Sequence, residues 1–133
     1  MYSLADIKSI HLEVTSKCQA RCPMCPRRLA GGPLLDSLYL EEITLDTFKS
    51  WFKPEFIAQL NHLNMCGNLG DPLLAKDTVE IFRYCREHNE HMTLQMHTNG
   101  SGRKKEWWES LAETRVKVVF GIDGLEDTHA LYR

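Results

Sequence analysis

Four short apolar runs, each cut off by turn-forming residues, constrain this chain more than any other feature of its sequence. They lie at residues 10–15, 63–66, 92–96 and 116–122. The first, Ile10-His11-Leu12-Glu13-Val14-Thr15, is apolar at alternate positions, the period of a strand. The runs stop at Thr15-Ser16-Lys17, Gly67-Asn68, Thr98-Asn99-Gly100 and Asp123-Gly124, all residues that favour turns. The segments between them have helical character. Thr44, followed by Asp46 and Thr47, is a start signal for a stretch carrying Phe48, Trp51, Phe52, Phe56, Ile57 and Leu60. Pro54 is expected to kink or divide that stretch, because proline removes a helical donor. Asp77 is expected to cap a second helix, with Val79, Ile81, Phe82 and Cys85 on its apolar face. A third is predicted over residues 104–114, where Trp107, Trp108 and Leu111 are available for packing. A fourth begins after Gly124 and leads to Arg133. Strictly alternating strands and helices predict βαβ units, hence an α/β fold with a parallel sheet.

The chain has 133 residues, enough for one domain. Four βα units do not close a barrel, and the last helix begins about two turns before the final residue. A partial or truncated domain is expected. Lysine and arginine total 16 against 18 aspartates and glutamates, a formal charge of −2. That balance gives no reason to expect a nucleic-acid or acidic-membrane surface. No apolar stretch approaches the roughly 18 residues of a membrane span. The N-terminal residues Met1-Tyr2-Ser3-Leu4-Ala5-Asp6 have neither the basic nor the long apolar region of a signal peptide, so a cytoplasmic location is expected.

Five cysteines are present, at positions 18, 22, 25, 66 and 85. An odd number in a chain expected to stay in a reducing compartment argues against a disulfide framework. Three of them form the C-x3-C-x2-C array Cys18-Gln19-Ala20-Arg21-Cys22-Pro23-Met24-Cys25, in the loop after the first strand. Such clustering points to a metal. Four thiolates hold an ordinary [4Fe–4S] cluster, so three leave one iron open to a ligand that is not protein. Lys17 and Arg21 are expected to add positive charge beside that anionic centre. A structural zinc site would need a fourth ligand from Cys66, His97 or His62, and there is no second C-x2-C. Cys85 reads as a core residue, and Cys66 as a thiol that can face the sheet interior. Residues 26–43, with Gly31-Gly32-Pro33, read as a long loop of the kind that is usually functional or mobile.

The array and its place after strand one resemble the radical S-adenosylmethionine (radical SAM) superfamily, whose signature is C-x3-C-x-Φ-C. Met24 stands at the Φ position, and the resemblance implies that it packs against the adenine. It implies too a partial parallel (β/α) barrel with cluster and cofactor at the C-terminal ends of the strands, where barrels carry their sites. Residues 1–133 would be the N-terminal part of such a core.

Three further motifs follow in register. Gly67-Asn68-Leu69-Gly70-Asp71-Pro72 is similar to the G-G-E-P stretch that receives the amino group of the cofactor's methionyl end. Leu69 replaces its first glycine and Asp71 its glutamate. Taken alone, the segment also reads as a turn leading into a helix. Thr98-Asn99-Gly100 resembles the family's T-N-G, and is equally a common turn. Gly121-Ile122-Asp123-Gly124 resembles S-I-D-G, with Gly121 in place of the serine. There Asp123 either accepts from ribose hydroxyls or caps the following helix.

The resemblance implies an enzyme in which a reduced [4Fe–4S] cluster on Cys18, Cys22 and Cys25 cleaves SAM to methionine and a 5′-deoxyadenosyl radical. That radical takes hydrogen from a peptide or small-molecule substrate. The cofactor-binding residues would be Met24, Gly70, Asp71, Pro72, Thr98, Asn99 and Asp123. An external electron donor of the flavodoxin or ferredoxin type is implied as a partner, as is a chain completing the barrel. Two rival readings are a non-catalytic cluster-binding fragment and a zinc-binding interaction module.

Overall fold

In a computed structural model, which describes residues 1–132, the four apolar runs form four strands. These are β1 (Ser9–Leu12), β2 (His62–Met65), β3 (Thr93–Thr98) and β4 (Lys117–Phe120). All neighbours pair in parallel, in the order β1-β2-β3-β4. A parallel sheet whose strand order never reverses winds in one direction and keeps its crossover helices on one face. The fold is therefore an α/β arc, a partial parallel barrel of four βα units.

Register explains the two faces. Leu12, Met65, Met96 and Val118 are opposite one another across the sheet. With Leu63 and Leu94 they build the apolar side, and Leu63, Met65 and Met96 are fully buried. The intervening row is His11, Asn64, Gln95 and Lys117, polar throughout and half-buried or exposed. The core lies between the apolar face and the helices, where Phe48, Ile57, Ile81, Phe82 and Leu111 are buried.

The helices are α1 (Leu45–Trp51), α2 (Pro54–Ala58), α3 (Thr78–His88), α4 (Lys105–Glu113) and α5 (Glu126–Tyr132). Arg133, to which the sequence reading carries the last helix, lies outside the described residues. Pro54 divides the first helical stretch as expected: α1 stops before it, and α2 begins on it, where its missing donor costs nothing. Thr44 caps α1 by accepting from the Thr47 N–H at 3.2 Å. Thr44→Ala is expected to cost about 1 kcal/mol, read as a lower urea midpoint with unchanged slope.

Asp77 corrects an expectation. It occupies the N-cap position just before α3, but its side chain does not cap that helix. Its carboxylate instead accepts from the Leu45 N–H of α1 at 2.9 Å, so it serves a neighbour's exposed donor. Residues 26–43 contain no helix or strand, only two isolated bridges, Arg28 with Leu34 and Thr15 with Glu42. Among the described residues, no helix is long and apolar enough to cross a membrane.

Candidate functional site

Every strand of a parallel sheet ends at the same edge, so loops far apart in sequence converge there. At that edge lies a cavity of about 240 Å³. Cys18, Cys22 and Cys25 line it from the loop after β1, and Gly70 and Asp71 from the loop after β2. Thr98 and Asn99 line it from the end of β3, and Gly121 from beyond β4. Seven of the residues singled out in the sequence thus share one space: Cys18, Cys22, Cys25, Gly70, Asp71, Thr98 and Asn99. Pro72 is buried at the start of a 3-10 turn, Pro72–Leu74. Met24 is 84% exposed, and neither it nor Asp123 lines the cavity. Gly121, Ile122 and Gly124 line an adjoining cavity of about 500 Å³, which meets the first at Asn99 and Gly121. A further cavity of about 420 Å³, under residues 39–43, holds Glu13, Glu41 and Glu42 but no thiol.

The loops after β1 and β2 are fastened to each other by backbone. The Asp71 N–H donates to the Lys17 carbonyl at 2.8 Å, and Gly70 packs on the Thr15 carbonyl with no room for a side chain. Asp71, only 5% exposed, then joins these loops to β3. Its Oδ1 accepts from Thr98 Oγ1 at 2.8 Å and from the Leu73 N–H at 3.0 Å. Its Oδ2 accepts from the Asn99 N–H at 2.8 Å. An ionised carboxylate has about four acceptor sites, so one remains.

Asn99 is oriented by its neighbours. Its Oδ1 accepts from Gln19 Nε2 at 2.9 Å, the Ser101 N–H at 2.9 Å and Ser101 Oγ at 2.7 Å. With the carbonyl end so held, the amide nitrogen faces Cys18, Nδ2 to Sγ 3.7 Å. Burial pushes the Cys18 thiol above its ordinary value, with the Asp71 carboxylate adding to the effect. A hydrogen bond from the Ala20 N–H and the charge of Arg27 oppose it. Such a thiol keeps its proton until a metal takes the proton's place. Cys22 and Cys25 are likewise half-buried and free of disulfides. Among the described residues, no three His, Cys, Asp or Glu side chains converge as the ligands of a metal ion.

The charge expected from Lys17 and Arg21 is not at the cavity. Lys17 is ion-paired with Glu42, Nζ to Oε1 3.2 Å, and Arg21 is exposed and lines a different hollow. The cation in the cavity wall is Arg27, which is 2% exposed. Nothing in its local sequence marks it, because its burial depends on how residues 26–43 fold back. Gln19 carries no local signal either, since its partners are about eighty positions away. Cys66 and His97 share the cavity wall, and the Cys66 thiol is pushed up by burial and then by Glu13. Cys85 is fully buried in the core, its thiol pushed up to about 12 by burial.

No model of a known protein family matches the chain, and no curated protein does. Solved structures do. BtrN in complex with AdoMet and 2-DOIA superposes with a TM-score of 0.67 at 19% identity, covering 86% of this chain and 45% of that one. Selenomethionine BtrN in an open conformation gives 0.67 at 19%, over 92% of this chain and 53% of that one. The chain has a fold similar to BtrN's. It spans about half the length of the BtrN chains it matches. At this identity the likeness establishes the α/β partial barrel.

Proposed function

We propose that the chain is a radical SAM core: Cys18, Cys22 and Cys25 hold a [4Fe–4S] cluster, and SAM binds at its open iron. The observation that carries this reading is that three half-buried cysteines line one cavity with Gly70, Asp71, Thr98 and Asn99 at the sheet's C-terminal edge. The AdoMet bound to BtrN, a protein of similar fold, supports it further. The chemistry supplied by such a cluster when bound is one-electron reduction of SAM, which breaks its sulfonium C–S bond.

The protein's own residues bind and orient. The donor set suits the group, although its thiols are not gathered as metal ligands: Cys18, Cys22 and Cys25 line the cavity, N–H groups point at the Cys18 sulfur, and a buried guanidinium stands in its wall. Gly70 leaves backbone where a side chain would otherwise fill the space between the two loops. Asp71, with an acceptor site to spare, receives the ammonium of the methionyl end, and Pro72 holds that turn. Thr98 and Asn99 form the adjoining wall, and Gly121 leaves open the space a serine would occupy. Met24 and Asp123, both exposed and outside the cavity's lining, take the adenine and the ribose. Electrons arrive from a flavodoxin- or ferredoxin-like donor, in the cytoplasm. The substrate is a peptide or small molecule held over the polar face of the sheet. A further chain at the β4 edge completes the barrel.

Cys66 and His97, present in the same wall, are the groups a zinc site would recruit. Metal content separates the two readings. Anaerobic reconstitution is expected to give brown protein with about four iron and four sulfide per chain. Colourless protein with one zinc and no iron would replace this reading with that of a zinc-binding module.

A further inference from the structure

Among the described residues, the buried charged side chains are Arg27 and Asp71, and both line the cysteine cavity. They are not paired with each other, and Arg27 has no carboxylate partner among the described residues. Its Nη1 donates to the Cys18 carbonyl at 3.1 Å and its Nη2 to the Ser16 carbonyl at 2.9 Å. Its Nε is buried with no acceptor. A guanidinium cannot shed its proton, so burial does not neutralise it as it would a lysine or histidine. A buried, unpaired cation is costly unless an opposite charge faces it. The nearby cations do not share its position: Lys17 is paired with Glu42, Arg21 is exposed, and Arg28, whose Nε is also buried without an acceptor, is only half-buried and does not line the cavity.

The missing negative charge is the one the proposed cluster would bring. A [4Fe–4S] cluster on three thiolates is anionic when oxidised and more so when reduced. We propose that Arg27 is the cluster's built-in counter-charge. As a positioning residue it grips the carbonyls of Ser16 and Cys18, and its fixed charge favours the reduced form. This inference rests on the cluster reading and adds a residue that lies outside the cysteine array. Potentials of iron–sulfur centres respond to net charge in their surroundings, so the effect is measurable without turnover.

The test is the pair Arg27→Lys and Arg27→Gln in the 133-residue chain, reconstituted anaerobically beside wild type. Iron and sulfide content is measured, then the midpoint potential by EPR-monitored reductive titration. Arg27→Gln is expected to shift the potential to more negative values or to lose iron, while Arg27→Lys stays near wild type in both. Both variants lack the two-pronged grip, so a merely structural role predicts that they change together. Equal potentials in all three proteins, equal shifts in both variants, or loss of iron from both would overturn the counter-charge role. Wild-type protein that takes up no iron would sink the cluster reading itself, and this inference with it.

Discussion

Alanine at Cys18, Cys22 or Cys25 is expected to abolish iron retention, whereas alanine at Cys85 is expected to leave it intact. The four thiols differ in place, not in chemistry. The first three are half-buried along one cavity, so each can lose its proton to a metal without unfolding anything. Cys85 is fully buried against the core, its thiol held protonated by burial up to about 12. Its truncation removes a small packed group, at about 1 kcal/mol. A cluster left on two thiolates has two exposed irons, and it is expected to be lost during desalting. Iron and sulfide analysis, with circular dichroism to show that the fold persists, checks the set. Iron loss in Cys85→Ala with a retained fold would mean that the ligands are misassigned.

Gly70→Ala is expected to damage both the fold and the site. A Cβ at Gly70 would lie 1.8 Å from the Thr15 carbonyl oxygen and 2.6 Å from its carbon. These are backbone atoms, which cannot rotate aside as the tip of a side chain can. The loops after β1 and β2 must therefore part by more than an ångström. Parting them breaks the Asp71 N–H to Lys17 carbonyl bond and shifts a carboxylate that holds Thr98 and Asn99. Overpacking alone costs about 1–3 kcal/mol, and the buried hydrogen bonds of Asp71 add to it. The expected loss is about 3 kcal/mol or more in urea unfolding, together with reduced iron uptake. An alanine variant equal to wild type in both would show that the two loops are not rigidly joined.

The sequence disclosed most where the cause is local. Pro54 divides a helix and Thr44 caps one because each acts on its own few neighbours. Strand ends were less legible, since pairing partners decide them. β3 runs on to Thr98 because Thr98 is paired with Phe120 of β4. β1 stops at Leu12, and the chain beyond it turns to residues 39–43, with Ile43 donating to the Val14 carbonyl at 2.8 Å. Asp77 misled for the same reason, as its partner Leu45 is thirty-two positions away. In the site, the cysteine spacing, Gly70-Asp71 and Thr98-Asn99 were visible as motifs. Arg27 and Gln19 were not, because their importance lies in long-range contacts with Ser16, Cys18, Asn99 and Ser101.

An EPR spectrum of the reconstituted, dithionite-reduced protein, recorded without and with SAM, tests the central claim most directly. The account predicts a [4Fe–4S]⁺ signal whose shape changes when SAM is added, because SAM takes the open iron. A signal that ignores SAM would contradict it, leaving a protein that holds a cluster at Cys18, Cys22 and Cys25 without a cofactor site beside it.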